Sequence, residues 1–171
     1  MSVIQQTLPA EQTEKRILSE EDRERLDNIF GTRKDYGGNA AENSLKQLGT
    51  GCYRETYQFT EEANFGFKDP GDYVVKMNHS SISNMNRLEV IAEKVLPDEF
   101  TEKFFVPIVA AARDFSWLIM EYAEVDREEN KSHLSGLRDE MESWSLSYND
   151  VAARNIGIHE DAPKLVDYAH R

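Results

Sequence analysis

The order of short strand-like runs in the central part of the chain constrains its fold more than any other feature. Three runs of alternating or β-branched residues, one helical pattern and two further apolar runs follow one another between Leu45 and Tyr122. The helical pattern repeats apolar residues at 3.6-residue spacing and stops at Pro97, which cannot continue a helix. The predicted order is therefore β-β-β-α-β-β, which indicates an α+β fold.

Further helices and strands are predicted before and after this central region. Before it, Ser19 is suited to cap a short acidic helix with Leu26 and Phe30 on its apolar face. After it, a charged loop at Asp126–Lys131 is expected, followed by a second amphipathic helix that extends to about Ser147. Two short strands are predicted at the end, around residues 156–158 and 164–166.

The charge balance limits the partners of the chain. It has 32 Asp and Glu against 20 Lys and Arg, a formal net charge of −12, and no basic patch suited to a phosphate backbone or an anionic membrane. No apolar run is long enough to span a bilayer. The single cysteine, Cys52, excludes an intramolecular disulfide and fits a reducing compartment. We therefore expect a cytoplasmic protein that binds neither nucleic acid nor membrane.

Several polar and glycine positions carry candidate chemistry through their order. Taken singly, each has a common structural explanation: a Gly-x-Gly hairpin is usually a turn, and a strand lysine often reaches into water. Together they supply the functions that phosphoryl transfer from a nucleotide needs, in chain order and at compatible spacing. These positions are Gly49, Gly51, Lys76, Glu89, Asp150, Asn155 and Asp167.

The chemistry of each position explains why the combination is informative. Glycines let the backbone approach phosphate oxygens because no Cβ blocks the way. Lys76 supplies a positive charge for the α- and β-phosphates, and Glu89 fixes that lysine. Asp150 accepts or orients the acceptor hydroxyl, while Asn155 and Asp167 provide oxygen ligands for Mg²⁺.

These motifs resemble those of the protein-kinase-like fold. Leu48–Thr56 resembles the glycine-rich loop, with Arg54 where the third glycine would stand, and Val74–Lys76 resembles the lysine-bearing third strand. Asp150–Asn155 resembles the catalytic-loop pattern D-L-x-x-x-N, and Leu165–Ala169 stands for the D-F-G motif. In addition, the segment 118–123 resembles the strand that leads into the hinge.

The resemblance implies ATP and Mg²⁺ as cofactors. It assigns Asp150, Lys76 and Glu89 to catalysis, and Asn155 and Asp167 to the metal. It assigns nucleotide binding to a set drawn from the glycine-rich loop, the third strand and the hinge, with Met120 as gatekeeper. That set is Gly49, Gly51, Arg54, Lys76, Met120, Glu121 and Tyr122.

The implied fold is a five-stranded antiparallel N-lobe with one C helix, followed by a much reduced C-lobe of one helix, catalytic loop and metal-binding strand. We divide the chain into an N-terminal extension at 1–44, an N-lobe and hinge at 45–124, and a reduced C-lobe at 125–171. Three departures from the family bear on catalysis: Tyr148-Asn149 replaces His-Arg, Ala169 replaces glycine, and the sequence stops at Arg171.

Three functions are compatible with these observations. The first is a minimal Mg·ATP-dependent protein kinase, of the compact type found in microbes and viruses, acting on a Ser, Thr or Tyr hydroxyl. The second is a pseudokinase that binds nucleotide or a partner protein without catalysis. The third is a small-molecule phosphotransferase of the aminoglycoside-kinase type. We expect a protein substrate or regulatory partner, and a second copy is another candidate to cover apolar surface left by the reduced lobe.

Overall fold

The computed structural model describes residues 18–31, 44–63, 65–78, 84–144 and 151–168. These residues form a mixed α+β structure with a five-stranded sheet, a two-stranded sheet and four α-helices. The strands are β1 Leu45–Thr50, β2 Arg54–Phe59, β3 Tyr73–Asn78, β4 Ile108–Ala111, β5 Trp117–Glu121, β6 Ile156–His159 and β7 Ala162–Leu165. The α-helices are α1 Glu20–Leu26, α2 Met85–Val95, α3 Asp98–Phe104 and α4 Arg127–Ser143.

The larger sheet has the strand order β1-β2-β3-β5-β4, and all neighbouring strands are antiparallel. Lys76 of the central strand β3 lies opposite Thr56 of β2 and Leu118 of β5. The pairing of β1 with β2 slips between Gln47 and Gly49, so the outer strand has an irregularity at its glycine end. The predicted α+β class and five-stranded antiparallel sheet are confirmed.

Helix α1 packs into the core of the larger sheet. Its cap is Ser19, whose Oγ accepts a hydrogen bond from the Asp22 N–H at 3.1 Å. Leu26 is fully buried and belongs to the same apolar cluster as Trp117 of β5. The indole Nε1 of Trp117 also donates a 2.8 Å hydrogen bond to Asp27, in the π-helical turn Asp27–Gly31 that continues α1. The N-terminal helix is therefore an integral part of the sheet's packing.

A second apolar cluster joins α3, α4 and the β6–β7 hairpin. The rings of Phe105 and Tyr168 stack within it, with centroids 4.0 Å apart and planes 6° from parallel. Single β-bridges from Phe105 to Leu165 and from Glu124 to Ile158 tie the hairpin to the segments before β4 and after β5. The hairpin is thus held against the larger sheet from two sides.

At Gly157, strand β6 passes very close to the segment after β5. A Cβ at this position would lie 2.7 Å from the Ala123 Cβ and 2.8 Å from the Val166 Cγ1. Carbon atoms do not approach so closely without displacement, so a glycine is required where β6 passes the segment after β5.

Two helical segments differ from the sequence prediction. Helix α3 was not predicted; it follows directly after Pro97, with acidic residues in its first turn where the helix dipole favours them. Asp126–Lys131 was predicted to be a loop, and this was wrong, because α4 begins at Arg127. The Asp126 carboxylate accepts hydrogen bonds from the N–H groups of Glu128 and Glu129 at 2.9 and 3.2 Å and so caps α4.

The same helix ends at Ser143, before the predicted Ser147, which lies outside the described residues. Within the described ranges, none of the helices has the length and apolar character needed to cross a membrane.

Candidate functional site

A cavity of about 380 Å³ lies between the larger sheet and the segments around the β6–β7 hairpin. Its size is within the range of sites that bind small molecules. The lining comes from the β1–β2 hairpin, β3, the end of β5, the start of α4 and the ends of the small hairpin. It brings together most of the predicted site residues, namely Gly49, Gly51, Arg54, Lys76, Met120, Glu121, Tyr122, Asn155 and Asp167.

Lys76, which lines this cavity, forms a buried ion pair with Glu89. The lysine is 5% exposed on β3, and the glutamate is fully buried on α2. Lys76 Nζ lies 2.9 and 3.2 Å from the two carboxylate oxygens of Glu89 and also donates to the Val166 carbonyl. These three contacts match the three N–H donors of an ammonium group. The structure thus brings together the lysine and the glutamate that the sequence singled out.

Arg54 joins this pair from β2. Its Nη1 and Nη2 lie 2.9 and 3.1 Å from the two oxygens of Glu89. Nη2 also donates a 2.6 Å hydrogen bond to Asp167 Oδ1. Where the sequence predicted a nucleotide-binding residue, the structure shows a buried guanidinium that links the helix glutamate to the aspartate after β7. We call Arg54, Lys76, Glu89 and Asp167 the charge cluster.

Asn86 supports the charge cluster from α2. Its Oδ1 accepts a 3.3 Å hydrogen bond from Arg54 Nη1, and its Nδ2 donates to the Phe115 carbonyl at 3.0 Å and to the Lys76 carbonyl at 3.2 Å. Asn86 was not among the residues predicted for the site. Its signal is the spacing: Asn86 lies three positions before Glu89 and therefore on the same helix face.

Tyr168 fixes the backbone beside Asp167. Its N–H donates a 3.1 Å hydrogen bond to Glu89 Oε1, and its hydroxyl donates to the Val106 carbonyl at 3.1 Å. The ring is fully buried in the stack with Phe105. The position of the Asp167 carboxylate is therefore set by packing as well as by charge.

The ionisation of the cluster follows from burial and mutual attraction. Burial lowers the pKa of Lys76; Glu89 opposes this effect, and the Arg54 guanidinium adds to it. Burial on its own would raise the pKa of Asp167, but the neighbouring cations Lys76 and Arg54 hold it below its usual value. Burial opposes the charge of Arg54, yet Glu89 and Asp167 outweigh it and the arginine pKa is raised. Glu89 and Asp167 act on both cations, so these two carboxylates are the groups that oppose the cost of burying the positive charges.

The glycines of the β1–β2 hairpin also line the cavity. A Cβ at Gly49 would meet no atom within 4 Å, and a Cβ at Gly51 would only touch the Arg54 carbonyl at 3.5 Å. Packing within the described protein therefore does not require glycine at Gly49. The missing side chain instead leaves room on the cavity wall.

The end of β5 forms the apolar side of the cavity, where Met120 is buried. The N–H of Glu121 donates to the Pro107 carbonyl at 3.1 Å, and the N–H of Tyr122 donates to the Asp72 carbonyl at 2.7 Å. These two N–H groups are therefore engaged within the protein. The Glu121 carboxylate lies 2.6 Å from His159 Nε2, a contact across the two sheets for which the sequence offers no signal.

Asn155 and Asp167 are the predicted Mg²⁺ ligands, and both line the cavity. Amide and carboxylate oxygens are the donors Mg²⁺ prefers, and this ion commonly binds one or two carboxylates together with waters and substrate phosphates. The Asp167 side chain is 40% exposed and so accessible from the cavity. In the described part of the chain, no group of three or more His, Cys, Asp or Glu is arranged to hold a metal ion. The two residues therefore offer oxygen donors of the kind that Mg²⁺ prefers.

Asp150, the predicted catalytic base, lies outside the described residues, as do Tyr148, Asn149 and Ala169. Their roles stay predictions. The described residues that flank this gap are Trp144 and Val151. Val151 is buried in the second cluster, and Trp144 packs against it.

Comparison with models of known protein families gives no match, and none of the curated proteins matches the sequence. Function is therefore inferred below from the chemistry of the cavity and of the charge cluster.

Proposed function

We propose that this chain is a nucleotide-binding phosphotransferase of the protein-kinase-like type, which transfers a phosphoryl group from ATP to a protein hydroxyl. One observation carries the proposal: the buried Lys76–Glu89 pair, with Asp167 joined to the same cluster, adjoins a cavity that is also lined by a glycine hairpin. Phosphate recognition needs these groups together, because a cation must face the oxygens and the backbone must approach them closely.

The chain's own residues divide the work as follows. Lys76 holds the phosphates, Glu89 orients Lys76, and the room at Gly49 admits the phosphate tail beside the hairpin. Asp150 orients the acceptor hydroxyl. Asn155 and Asp167 would hold Mg²⁺, which when bound neutralises charge on the phosphates.

The nucleotide-binding part is tested with Lys76→Met. We expect Mg·ATP to raise the melting temperature of the wild-type protein and to have no effect on the variant, whose side chain is of similar length but uncharged. Lys103→Met is the matched control, because Lys103 is half exposed and pairs with Glu140 away from the cavity. A wild-type protein that shows no shift and no heat of binding with Mg·ATP would refute the proposal.

Phosphoryl transfer is tested separately with γ-labelled ATP and a mixed protein extract. We expect label transfer by the wild type and none by Asp150→Asn or Asp167→Asn, provided both variants keep a cooperative unfolding transition. Equal labelling by the wild type and by both variants would mean that the label comes from another source.

A second candidate function is nucleotide binding without catalysis. The observation that favours it is the 2.6 Å pairing of Arg54 with Asp167, because an aspartate held by an arginine is less available to a metal. This function predicts ATP binding that depends on Lys76 together with label transfer no greater than that of Asp150→Asn. The two assays above therefore separate a kinase from a pseudokinase.

A further inference from the structure

The cations of the charge cluster are directed at acceptors of the protein itself. Arg54 Nη1 contacts Asn86 and Glu89, and Nη2 contacts Glu89 and Asp167, so the four N–H bonds of the two terminal nitrogens meet four acceptors. Lys76 directs three N–H bonds at Glu89 and the Val166 carbonyl. With two positive and two negative members, the cluster is neutral. An anionic phosphate gains little from a cluster in this arrangement unless one of these contacts opens.

Asp167 is the member through which the cluster can open. Its side chain is 40% exposed, against 7% for Arg54, 6% for Lys76 and none for Glu89. A cation that arrives from the cavity therefore reaches this carboxylate first. There it meets the Arg54 guanidinium, 2.6 Å from Oδ1.

We propose that a divalent cation and Arg54 compete for Asp167, so that metal binding releases Arg54 Nη2 from this carboxylate. Two cations in contact with one carboxylate repel each other, and the divalent ion carries the higher charge. Arg54 keeps its contacts to Glu89 and Asn86, which hold it at the cavity wall. The released N–H then faces the cavity as a donor for a phosphate oxygen.

The proposal rests on the proposed function for the identity of the phosphate ligand, but the exchange at Asp167 is a property of the chain and the metal alone. In this view Arg54, which stands where the related motif has its third glycine, couples metal binding to phosphate binding. The cavity recognises phosphate only after the metal has entered.

The test is a titration with Mn²⁺ in the absence of nucleotide. The electron paramagnetic resonance signal of the unbound ion measures how much Mn²⁺ the protein has bound. We expect Arg54→Gln to bind Mn²⁺ about tenfold more tightly than the wild type, because a charge-assisted contact no longer competes. Asp167→Asn should bind no Mn²⁺ at the cluster. Arg113→Gln is the matched control, since Arg113 is 86% exposed and pairs with Glu20. Equal or weaker Mn²⁺ binding by Arg54→Gln overturns the proposal.

A second measurement needs no change at Arg54. In ¹⁵N-labelled wild-type protein, the side-chain resonance of Arg54 should shift with added Mg²⁺ and reach a plateau, and it should not shift in Asp167→Asn. An Arg54 resonance that stays in place while Mg²⁺ binds overturns the exchange, even if Arg54→Gln fails to fold.

Failure of this proposal is distinguishable from failure of the proposed function. Mg·ATP binding that depends on Lys76, combined with unchanged Mn²⁺ affinity in Arg54→Gln, removes the exchange and leaves the nucleotide site. Tighter Mn²⁺ binding in Arg54→Gln without any ATP binding supports the exchange and removes the nucleotide.

Discussion

At the scale of single residues, burial of the charge cluster carries a large desolvation cost, but each of its four members contacts a group of opposite charge. Burying one ion without a partner costs several kcal/mol, and the loss of one partner from a buried pair costs about 3–5 kcal/mol. Each carboxylate of the cluster contacts Arg54, and Glu89 also receives Lys76 and the Tyr168 N–H. The members therefore depend on one another, and a substitution at one of them is expected to disturb all four.

Acid stability is the first measurable consequence. Because the cations hold the pKa of Asp167 below its ordinary value of 3.8, ionised Asp167 stabilises the folded state at pH values above 3.8. This contribution is lost as the pH falls below 3.8 through the folded-state pKa. We expect Asp167→Asn to be less stable than the wild type at pH 7 and to lose less stability on acidification, as measured by urea unfolding.

The control for this experiment is Asp139→Asn, which removes a carboxylate from the exposed face of α4. Its stability should follow the wild-type dependence on pH. If the curves of the wild type and of Asp167→Asn fall in parallel, the pairing of Asp167 does not contribute to acid stability.

Gly49 permits a test that separates binding from folding. Since a Cβ at this position meets no atom within 4 Å, Gly49→Ala should leave the free energy of unfolding unchanged or raise it by up to about 1 kcal/mol. The added methyl group occupies the cavity wall, so ATP affinity should fall.

Gly71→Ala is its counterpart, because a Cβ at Gly71 also meets open space but lies outside the cavity lining. Calorimetric titration should show wild-type ATP affinity for Gly71→Ala. Equal affinities of Gly49→Ala and Gly71→Ala would show that the hairpin does not contact the nucleotide.

The sequence predicted part of this site and missed the rest for a physical reason. Lys76 and Glu89 were recognisable because a strand end and a helix face determine where their side chains point. The pairing of Arg54 depends on the register of β2 against β3, in which Arg54 lies opposite Asn78. A shift of one residue reverses the face of a strand residue, so its side-chain direction could not be inferred.

At the scale of the elements, α1 contributes a fully buried side chain to the core of the larger sheet. We expect Leu26→Ala to lower the free energy of unfolding by about 2–5 kcal/mol, the usual cost of a large-to-small change in a core. The fluorescence of Trp117, which is hydrogen bonded to Asp27, should change when α1 loosens.

Ile29→Ala gives the comparison within the same segment, since Ile29 is only partly buried against the cluster. Its destabilisation should be smaller. A Leu26→Ala variant as stable as the wild type would show that α1 does not contribute to the sheet's stability.

The contact of β6 with the segment after β5 provides an element-scale test of close packing. Gly157→Ala forces a methyl group to within 2.7 Å of Ala123, and overpacking of this kind costs about 1–3 kcal/mol. Thermal or urea unfolding measures the effect. In contrast, Gly136→Ala meets no neighbour in helix α4 and should stabilise the protein by up to about 1 kcal/mol. Destabilisation by both variants alike would point to a general intolerance of Gly→Ala changes.

Strands were easier to locate from the sequence than helix boundaries. The alternating and β-branched patterns of β2, β3 and β5 follow directly from the two faces of a sheet. Helix α3 has only seven residues and directly follows a proline, so it offers little periodicity. The first turn of α4 is charged and is specified by the cap at Asp126 instead of by an apolar face.

At the scale of the whole molecule, the net charge of −12 acts against compactness because like charges repel over the surface. Salt screens this repulsion, with a Debye length that falls from about 30 Å at 0.01 M to about 3 Å at 1 M. We expect the melting temperature to rise with NaCl concentration over this range. Asp167→Asn should show the same rise if surface repulsion is the cause, whereas a melting temperature that falls with salt would contradict it.

The charge cluster also affects how far folding can proceed while the protein is still being synthesised. Glu89 and Tyr168 are 79 positions apart, while Arg54, Lys76 and Glu89 all belong to the first half of the described structure. On the ribosome, the larger sheet and α2 emerge with two buried cations and a single carboxylate between them. This nascent intermediate carries an uncompensated charge until Asp167 arrives, so the sheet cannot reach its final stability during translation. The charge cluster is therefore complete only after the segment up to Tyr168 has been synthesised.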